Sequence, residues 1–467
     1  MRLDRLLGGV EVLSFRGDPA GTEIAAITHD SRAITPGALF CCLPGATADG
    51  HDFAADAMVF GASALLCERE LPLDVTQAVV GHVRTAMAPA AAAFYGHPSR
   101  RLSVAGVTGT NGKTTTTYLL AAALEADGRP TEVVGTLSGP RTTPEATDLQ
   151  ARLAGLVDGG MSAVTMEVSS HALVQHRVDA TWFSVSVFTN LTHDHLDFHH
   201  TMDEYLAAKA MLFTPERTEV AVVNADDPSG RWLLDSVSVP TRPFSLADAV
   251  DLEVGAISST FRWDGAPVRL NLGGVFNVSN ALAAASAARE LGVGAASVGE
   301  GLSAVASVPG RFEAVDGGQP FTVVVDYAHT PASLESVLGA ARHAAGEGGR
   351  VLVVFGCGGD RDTAKRPAMG EAATRLADVA VLTSDNPRRE DPLAIIGDVR
   401  AGVARLEVLV VEPDRRAAIA LALERARPGD VVVVAGRGHE PTQVNGSVSI
   451  PFDDRVVIRA ELERSGR

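Results

Sequence analysis

The chain has 467 residues, of which 46% are hydrophobic and 21% charged, so it can build a sizeable core and is not an intrinsically disordered protein. This length predicts about three domains. The formal net charge of -17 argues against non-specific binding to a nucleic acid polymer, although it is compatible with a local site for an anionic nucleotide.

The cysteines and the apolar segments indicate the cellular compartment. Cys41, Cys42, Cys67 and Cys357 have no metal-ligand spacing, and we expect buried free thiols in a reducing environment. The first residues lack the apolar core of a signal peptide, and no run of about 18 apolar residues predicts a membrane span. We therefore expect a cytoplasmic monomer that acts on small molecules, without a nucleic acid or membrane partner.

Apolar runs alternate with helical segments, which is typical of parallel sheets covered by helices on both faces. We predict an α/β fold of three domains: an N-terminal α/β domain (1–97), a central parallel-sheet domain (98–308) and a C-terminal Rossmann-like domain (309–467). The predicted strands are Ala62–Cys67 and Gln77–Val83; then Leu102–Ala105, Glu132–Val134, Ala163–Val168, Ser184–Asn190 and Val220–Asn224; and finally Thr322–Asp326, Val351–Phe355, Val379–Thr383, Val408–Val411 and Asp430–Ala435, with a helix over Thr114–Ala126.

Segment 106–115 reads Gly-Val-Thr-Gly-Thr-Asn-Gly-Lys-Thr-Thr and lies between a predicted strand and a predicted helix. A glycine-rich turn in this position aims backbone N–H groups at one point, where the helix N-terminus adds partial positive charge. The strict P-loop pattern requires a glycine at the position of Val107, whereas this chain has Gly106 one residue earlier. We predict a phosphate site in which Lys113 reaches the terminal phosphates and Thr114 ligates Mg²⁺; the alternative is a flexible loop that contains a lysine.

Two polar segments follow predicted strands of the central domain. Glu167 closes one strand, and a carboxylate at a strand end beside a P-loop is placed to bind Mg²⁺, although on its own it would be read as a surface acid. His193, Asp194, His195 and Asp197 crowd together after the next strand. This cluster suggests a metal or catalytic loop, with a polar turn as the alternative.

Two further positions have open interpretations from the residues alone. Lys209 lies in an apolar helical stretch, where a lone lysine is usually a surface residue whose stem packs along the helix. Asn277 and Asn280 lie three residues apart at the start of a predicted helix. They fit helix caps or hydrogen-bonding partners of an adenine.

In the content and order of its motifs, the chain resembles the Mur ligases, the ATP-dependent amide-forming enzymes of peptidoglycan precursor synthesis. The resemblance covers nearly the whole chain. It is carried by segments 30–32 (Asp-Ser-Arg), 109–114, 142–145 (Thr-Thr-Pro-Glu), 167–173 (Glu-Val-Ser-Ser-His-Ala-Leu), 190–197, Lys209, 276–280, 309–313, 326–331, 385–388 (Asp-Asn-Pro-Arg) and 436–440 (Gly-Arg-Gly-His-Glu).

The resemblance implies an acid–amino-acid ligase that activates the γ-carboxylate of UDP-N-acetylmuramoyl-L-alanyl-D-glutamate as an acyl phosphate and then adds an amino acid. We expect meso-diaminopimelate, because Arg388 can pair with its distal carboxylate; L-lysine or another amino acid is the alternative. The implied cofactors are ATP, Mg²⁺ and a carbamylated Lys209, since carbamylation turns a cation into an anionic oxygen ligand.

The resemblance also assigns roles to residues. The catalytic residues would be Lys113, Glu167, His195 and Lys209, and the metal ligands Thr114, Glu167, His195 and Lys209. ATP would be bound by Gly109, Thr110, Asn111, Gly112, Lys113, Thr114, Thr115, Asn280, Arg311 and Asp326, with support from His329. The UDP-muramoyl dipeptide would contact Ser31, Thr142, Thr143, Ser169, Gln175 and Arg177. The amino acid would contact Arg361, Asp385, Asn386, Pro387, Arg388, Gly436 and Glu440.

Two positions depart from the family pattern, and two other functions compete with the expected one. Arg141 stands where the family usually has Asn, and Arg437 replaces a Lys, so a point charge becomes a planar fork. Another ligase of the superfamily, such as folylpolyglutamate synthase or the ligase that adds D-alanyl-D-alanine, is disfavoured by the N-terminal domain and by segment 385–388. A P-loop switch or motor would leave the C-terminal basic pocket without a role.

Overall fold

The structure, a computed structural model, describes residues 1–45 and 48–466. Its elements form three successive α/β units, each built on its own sheet, as the alternating sequence pattern predicts. No helix within these residues is long and apolar enough to cross a bilayer. The predicted domain limits, after residues 97 and 308, stay predictions.

The N-terminal unit is a five-stranded sheet in the order β1-β5-β4-β3-β2, in which only β1 is antiparallel to its neighbour. The predicted strand Ala62–Cys67 is confirmed, but Gln77–Val83 is too long, because Val83 already begins a helix. The strands are β1 (Val12–Arg16), β2 (Ala26–Thr28), β3 (Ala38–Cys41), β4 (Ala62–Cys67) and β5 (Thr76–Val80), and the helices are α1 (Leu3–Leu6), α2 (Ala54–Val59) and α3 (Val83–Phe94).

The central unit contains a six-stranded, wholly parallel sheet in the order β11-β10-β9-β6-β8-β7, followed by a small antiparallel sheet, β12-β13-β14, that the sequence did not predict. The strands are β6 (Ser103–Thr108), β7 (Thr131–Val134), β8 (Ala163–Glu167), β9 (Phe183–Phe188), β10 (Thr218–Asn224), β11 (Thr241–Phe244), β12 (Val250–Val254), β13 (Ser259–Trp263) and β14 (Ala266–Leu270). The helices are α4 (Lys113–Ala126), α5 (Ala146–Asp158), α6 (Ser170–Val174), α7 (Leu196–His199), α8 (Met202–Ala210), α9 (Pro228–Ser236), α10 (Val275–Glu290) and α11 (Ala295–Ala304).

The C-terminal unit is a six-stranded sheet in the order β15-β16-β20-β17-β18-β19, parallel except for β15, with a separate hairpin of β21 and β22. The strands are β15 (Glu313–Ala314), β16 (Thr322–Asp326), β17 (Val351–Phe355), β18 (Val379–Leu382), β19 (Leu409–Val411), β20 (Val431–Ala435), β21 (Thr442–Asn445) and β22 (Val448–Pro451). The helices are α12 (Pro331–Ala345), α13 (Lys365–Leu376), α14 (Pro392–Arg400), α15 (Arg415–Arg425) and α16 (Asp454–Ser465).

Specific contacts join the three units. Ala146, at the start of α5, is buried in the core of the N-terminal unit, so the central and N-terminal units share a hydrophobic core. On the other side, the rings of Phe276 and Phe312 meet edge to face at 5.6 Å. Nη2 of Arg311 donates to Oγ1 of Thr114 at 3.1 Å. The carboxyl edge of the C-terminal sheet therefore faces the P-loop, and ligands of parallel α/β sheets bind at such edges.

Candidate active site

One cleft, with a volume of about 710 Å³, is lined by both the central and the C-terminal units. Most residues that the sequence predicts as functional line it together, although they come from widely separated segments. They are Thr110, Asn111, Gly112, Lys113, Thr114, Thr115, Thr142, Glu167, Ser169, His195, Asn280, Arg311, Asp326, Arg361, Asp385, Asn386, Arg388, Gly436 and Glu440.

The other predicted site residues lie just behind this lining or in the N-terminal unit. Thr143, Gln175 and Arg177 form a hydrogen-bonded group beside Ser169: Arg177 donates to O of Thr143 at 3.1 Å and to Oε1 of Gln175 at 2.6 Å. The Ser169 amide in turn donates to Oγ1 of Thr143 at 3.1 Å. This group therefore joins the two loops from which Thr142 and Ser169 reach the cleft.

Three more predicted site residues, Ser31, Pro387 and Gly109, lie outside the lining of the cleft. Ser31 begins a single turn of 3₁₀ helix, which Asp30 caps by accepting from the Arg32 amide at 2.9 Å. Pro387 is buried between Asn386 and Arg388. Gly109 lies in the P-loop, below the cleft.

The P-loop depends on two glycines in the left-handed region of backbone conformation. Gly109 has φ +147° and Gly112 has φ +87°. A Cβ atom at Gly112 would lie 2.2 Å from Oδ1 of Asn280, and one at Gly109 would lie 1.9 Å from Oγ1 of Thr189. Gly106 belongs to β6, where a Cβ would strike the Phe183 ring at 2.7 Å. Gly106, the glycine that departs from the strict motif, therefore allows close packing within the sheet. The positive φ angles of the loop are those of Gly109 and Gly112.

Two lysines converge on one carbonyl oxygen under the P-loop. Nζ of Lys113 lies 2.9 Å and Nζ of Lys209 2.8 Å from O of Gly109. Burial lowers the pKa of both ammonium groups, and the charge of Lys113 lowers the pKa of Lys209 further. Lys209 is only 1% exposed, and its Nζ lies 4.3 Å from the centre of the Tyr205 ring. The interpretation of Lys209 as a surface residue is therefore wrong.

Hard oxygen donors gather beside Lys113. Oε2 of Glu167 accepts from the Thr114 hydroxyl at 3.0 Å, while Oε1 accepts from the Thr136 amide at 2.7 Å. Glu167 is 2% exposed, so its interpretation as a surface acid is wrong. A hydroxyl and a buried carboxylate in contact form a donor set that fits Mg²⁺.

The loop that follows β9 supplies an imidazole and a carboxylate to the cleft. Nε2 of His195 lies 3.4 Å from Oδ2 of Asp194. Burial lowers the pKa of His195 to about 4, against the opposing charge of Asp194, so the imidazole is neutral at pH 7 and able to ligate a metal. Asp197 also lines the cleft, whereas His193 is exposed outside it.

The predicted magnesium ligands stay a prediction. Among residues 1–45 and 48–466, no three His, Cys, Asp or Glu side chains come together as a metal-binding group. The predicted set needs the Thr114 hydroxyl and a carbamate on Lys209 in addition to Glu167 and His195.

The asparagines of segment 276–280 are not helix caps. Helix α10 begins at Val275, and its N-cap, Gly274, makes no side-chain capping bond. Asn277 donates to O of Gly273 at 2.9 Å, and Asn280 donates to Oδ1 of Asn277 at 3.3 Å. These two hydrogen bonds hold the Asn280 side chain against Gly112 at the cleft.

Asp326 ends β16 on the C-terminal side of the cleft. Its two oxygens accept from the amides of Phe312 and Ala328, each at 2.7 Å. Burial raises the pKa of this carboxyl to about 6, although the charge of Arg311 and the two amides act in the opposite direction. The Arg311 guanidinium in turn lies 4.5 Å from the centre of the Tyr327 ring.

The predicted amino-acid pocket is built around Asn386. Its Nδ2 donates to Oε2 of Glu440 at 2.5 Å, and its Oδ1 accepts from Arg437 and from the Val444 amide, each at 2.9 Å. Arg388 is half-buried and donates to O of Gly359 at 2.6 Å. Burial raises the pKa of the Glu440 carboxyl.

The two departures from the family pattern have structural roles. Arg437 is fully buried. In addition to its bond with Asn386, its guanidinium donates to the carbonyl oxygens of Thr442 at 2.7 Å and Phe452 at 3.0 Å, which lie at the two ends of the β21–β22 hairpin. Arg141 pairs with Glu145, which also faces Arg177 at 3.0 Å.

Sequence reasoning missed two residues that support the site. Tyr205 lies beneath Lys209, and its hydroxyl accepts from Oγ1 of Thr110 at 3.3 Å; the spacing of four residues to Lys209 places both on one helix face. Glu145, 3% exposed, ends the Thr-Thr-Pro-Glu segment and was not singled out.

Comparisons with protein families give matches between residues 23 and 438 of the chain. Three family models match in succession: the Mur ligase family catalytic domain over residues 23–106, the Mur ligase middle domain over 107–288 and the Mur ligase glutamate ligase domain over 310–438.

Similar proteins include two UDP-N-acetylmuramoyl-L-alanyl-D-glutamate--2,6-diaminopimelate ligases. The one from Streptomyces coelicolor is 48% identical over 95% of this chain and 93% of its own length. The one from Geobacillus kaustophilus is 46% identical over 95% and 96%. A solved structure with the same protein name superposes with a TM-score of 0.69 at 30% identity, over 100% of this chain and 99% of that one. The MurF ligase from Thermotoga maritima in complex with ADP shares the fold, with a TM-score of 0.67 at 20% identity over 95% and 99%. With these relatives and three consecutive domain matches, the chain belongs to the Mur ligase family.

Proposed function

We propose that this chain uses ATP to join meso-diaminopimelate to UDP-N-acetylmuramoyl-L-alanyl-D-glutamate, a step of peptidoglycan precursor synthesis. The relatives named above carry this activity in their names. The observation that carries the proposal is the shared cleft, which the P-loop lines from one unit and Asp385, Asn386, Arg388 and Glu440 line from another. The cytoplasmic location and monomeric state expected from the sequence stay predictions.

The first step brings two anions together. A γ-carboxylate oxygen of the D-glutamate attacks the γ-phosphorus of ATP, the bond to the ADP oxygen breaks, and an acyl phosphate forms while ADP leaves. Lys113 supplies a buried positive charge at this point. Burial lowers its pKa overall, while the nearby charges of Glu167 and Asp194 act in the opposite direction. Charge stabilisation of this kind is the main catalytic contribution in phosphoryl transfer.

In the second step, the amino group of the incoming amino acid attacks the acyl carbon, and phosphate leaves. We assign Arg388 to the distal carboxylate of meso-diaminopimelate and Glu440 to its distal ammonium. L-Lysine lacks that carboxylate and would leave Arg388 without an anion. Selection through an unpaired polar group is strong compared with selection by size alone.

The environment of Lys209 fits carbamylation. The reaction of its neutral amine with CO₂ forms a carbamate and releases a proton, and burial favours the neutral amine. Repulsion between Lys209 and Lys113 then becomes attraction. Magnesium, when bound by Thr114, Glu167, His195 and the carbamate, would neutralise phosphate charge.

The dependence of ATP turnover on the dipeptide nucleotide tests the reaction class. We expect ADP release only when UDP-N-acetylmuramoyl-L-alanyl-D-glutamate and an amino acid are both present. ATP hydrolysis at the same rate without the nucleotide would instead identify a P-loop switch and refute the proposal.

Arg388→Ala tests the amino-acid specificity, with Arg389→Ala as the matched control. The Arg389 side chain is 84% exposed and pairs with Asp360 at 3.0 Å. We expect the preference for meso-diaminopimelate over L-lysine to fall on the order of 100-fold in Arg388→Ala and to persist in Arg389→Ala. A wild-type preference for lysine, or an unchanged diaminopimelate rate in Arg388→Ala, would reject the assignment.

A further inference from the structure

The use of lysine in this chain is highly selective. Of its 40 lysine and arginine residues, only Lys113, Lys209 and Lys365 are lysines. All three lie at one place: Lys113 and Lys365 line the cleft, and Lys209 is buried directly below it. Because arginine serves as the cation everywhere else, lysine at these three positions points to a requirement for a compact ammonium.

Lys365 differs from the other two lysines in its contacts. It begins α13, and in the part of the chain that the structure describes its ammonium forms neither a hydrogen bond nor an ion pair. Lys113 and Lys209, by contrast, donate to carbonyl oxygens of the P-loop. A half-buried cation that lines an active-site cleft and forms no ion pair with the described residues is suited to bind an anionic group of a substrate.

The position of Lys365 indicates which anionic group it would bind. It begins α13 and lines the cleft together with Asp194, in the loop after β9, and His329, in the loop after β16. The loop that carries Asp194 contacts the P-loop, because the Thr192 amide donates to Oγ1 of Thr110 at 3.0 Å. Lys365 thus lines, from the C-terminal unit, the same cleft that Lys113 lines from the central unit.

We infer that Lys365 is a further catalytic residue, whose ammonium contacts the phosphoryl group that passes from ATP to the substrate carboxylate. This inference rests on the proposed ligase function. The ammonium donates hydrogen bonds and transfers no proton, so the bonds formed and broken are those of the first step above. A lysine suits this task because its rotatable donors can follow a moving phosphoryl group, whereas the fork of an arginine is fixed.

The test compares Lys365→Gln and Lys365→Arg with Arg375→Gln. Arg375 lies on the same helix, α13, but outside the cleft, and pairs with Glu371 at 2.7 Å. Acyl phosphate formation is measured without an amino acid, as positional isotope exchange in ¹⁸O-labelled ATP that depends on the dipeptide nucleotide. We expect this exchange and kcat to fall about 100-fold or more in Lys365→Gln, to recover in part in Lys365→Arg, and to be unchanged in Arg375→Gln.

Two further readouts separate catalysis from folding and from amino-acid binding. The thermal unfolding midpoint and the KM for meso-diaminopimelate should stay near the wild-type values in Lys365→Gln, and ethylammonium should restore part of the exchange in Lys365→Ala. Unchanged isotope exchange, a loss confined to the KM for the amino acid, or a loss explained by unfolding would overturn the inference. Absence of nucleotide-dependent exchange in the wild type would instead refute the proposed function.

Discussion

Burial of Lys209 is the residue-level observation with the largest chemical consequence. A lysine in an apolar helix is ordinarily exposed, yet this one lies under the P-loop with its Nζ 2.8 Å from a carbonyl oxygen. The residues alone favoured a surface position, and only the resemblance to the Mur ligases implied a function. The difference arises because burial of one helix face is decided by tertiary packing, which a local sequence pattern does not record.

Lys209→Ala is expected to lose most of the ligase activity, and added bicarbonate should not restore it, because the alanine side chain has no amine to carbamylate. In the wild type, ¹³C-bicarbonate should give a carbamate signal in the ¹³C NMR spectrum that is absent from the variant. Full activity in Lys209→Ala would refute the role of this residue. A wild-type enzyme with normal activity but without a carbamate signal would refute the modification.

Asp326 gives a prediction for the pH dependence of stability. Its pKa in the folded protein is about 6, above the ordinary value near 4 in the unfolded chain. The folded state therefore binds this proton more tightly, and the resulting stability is present below about pH 4 and lost as the pH rises through 6. The free energy of unfolding of the wild type minus that of Asp326→Asn should fall by about 2–3 kcal/mol between pH 4 and 7. A flat or rising difference in urea unfolding would contradict this.

Many of the predicted residues that line the cleft lie in short motifs at strand ends. Glu167, Asp326 and Gly436 each end or follow a strand, and the carboxyl ends of parallel strands meet at one edge. Tyr205, and Lys365 of the inference above, were not predicted, because each lies on a helix and neither belongs to a strand-end motif. Their positions became apparent only when the neighbouring units were in place.

At the level of elements, the buried parallel strands of the C-terminal unit were predictable, whereas exposed strands were not. The predicted strands Thr322–Asp326 and Val351–Phe355 are confirmed to the residue, because both are continuous apolar runs. By contrast, β22 is exposed throughout and gives no such signal. Strand β11 contains Pro243, which is tolerated because β11 is an edge strand.

Helix α4 provides a paired test of the P-loop glycines. Gly112 precedes this helix and Gly128 follows it, and both have positive φ, +87° and +76°. Alanine should cost about 1–2 kcal/mol of stability at either position. Only at Gly112 would the new Cβ collide with Asn280, since no atom lies within 4 Å of the corresponding position at Gly128. Calorimetric titration with ADP should show lost affinity in Gly112→Ala alone; equal affinities in the two variants would contradict the assigned role of the loop.

At the scale of the whole molecule, the N-terminal and central units meet at a buried carboxylate. Glu145 faces three guanidinium groups, from Arg84 on α3, Arg141 in the preceding loop and Arg177 behind the cleft. The Glu145 carboxylate thus connects the loop that contains Arg141 to α3 of the N-terminal unit. Its loss would leave three cations near one another at the junction of two units.

Glu145→Gln should lower the free energy of unfolding by about 2 kcal/mol, less than for a fully buried pair because the Arg141 side chain is half exposed. Glu132→Gln is the matched control, since Glu132 pairs with Arg152 at 2.9 Å but is 40% exposed, and its loss should cost less than about 1 kcal/mol. Urea unfolding gives both values, and hydrogen exchange should accelerate along α3 and α5 only in Glu145→Gln. Equal effects of the two substitutions would contradict the proposed junction.

The central claim is that one cleft joins ATP chemistry to a pocket selective for a dicarboxylic diamino acid. It is tested most directly by incubating the protein with ATP, magnesium, UDP-N-acetylmuramoyl-L-alanyl-D-glutamate and equal concentrations of meso-diaminopimelate and L-lysine, and by identifying the nucleotide product by mass spectrometry. The account predicts the diaminopimelate tripeptide as the main product, with one ADP released per peptide bond. A lysine-containing product, or ADP release without any new peptide bond, would contradict it.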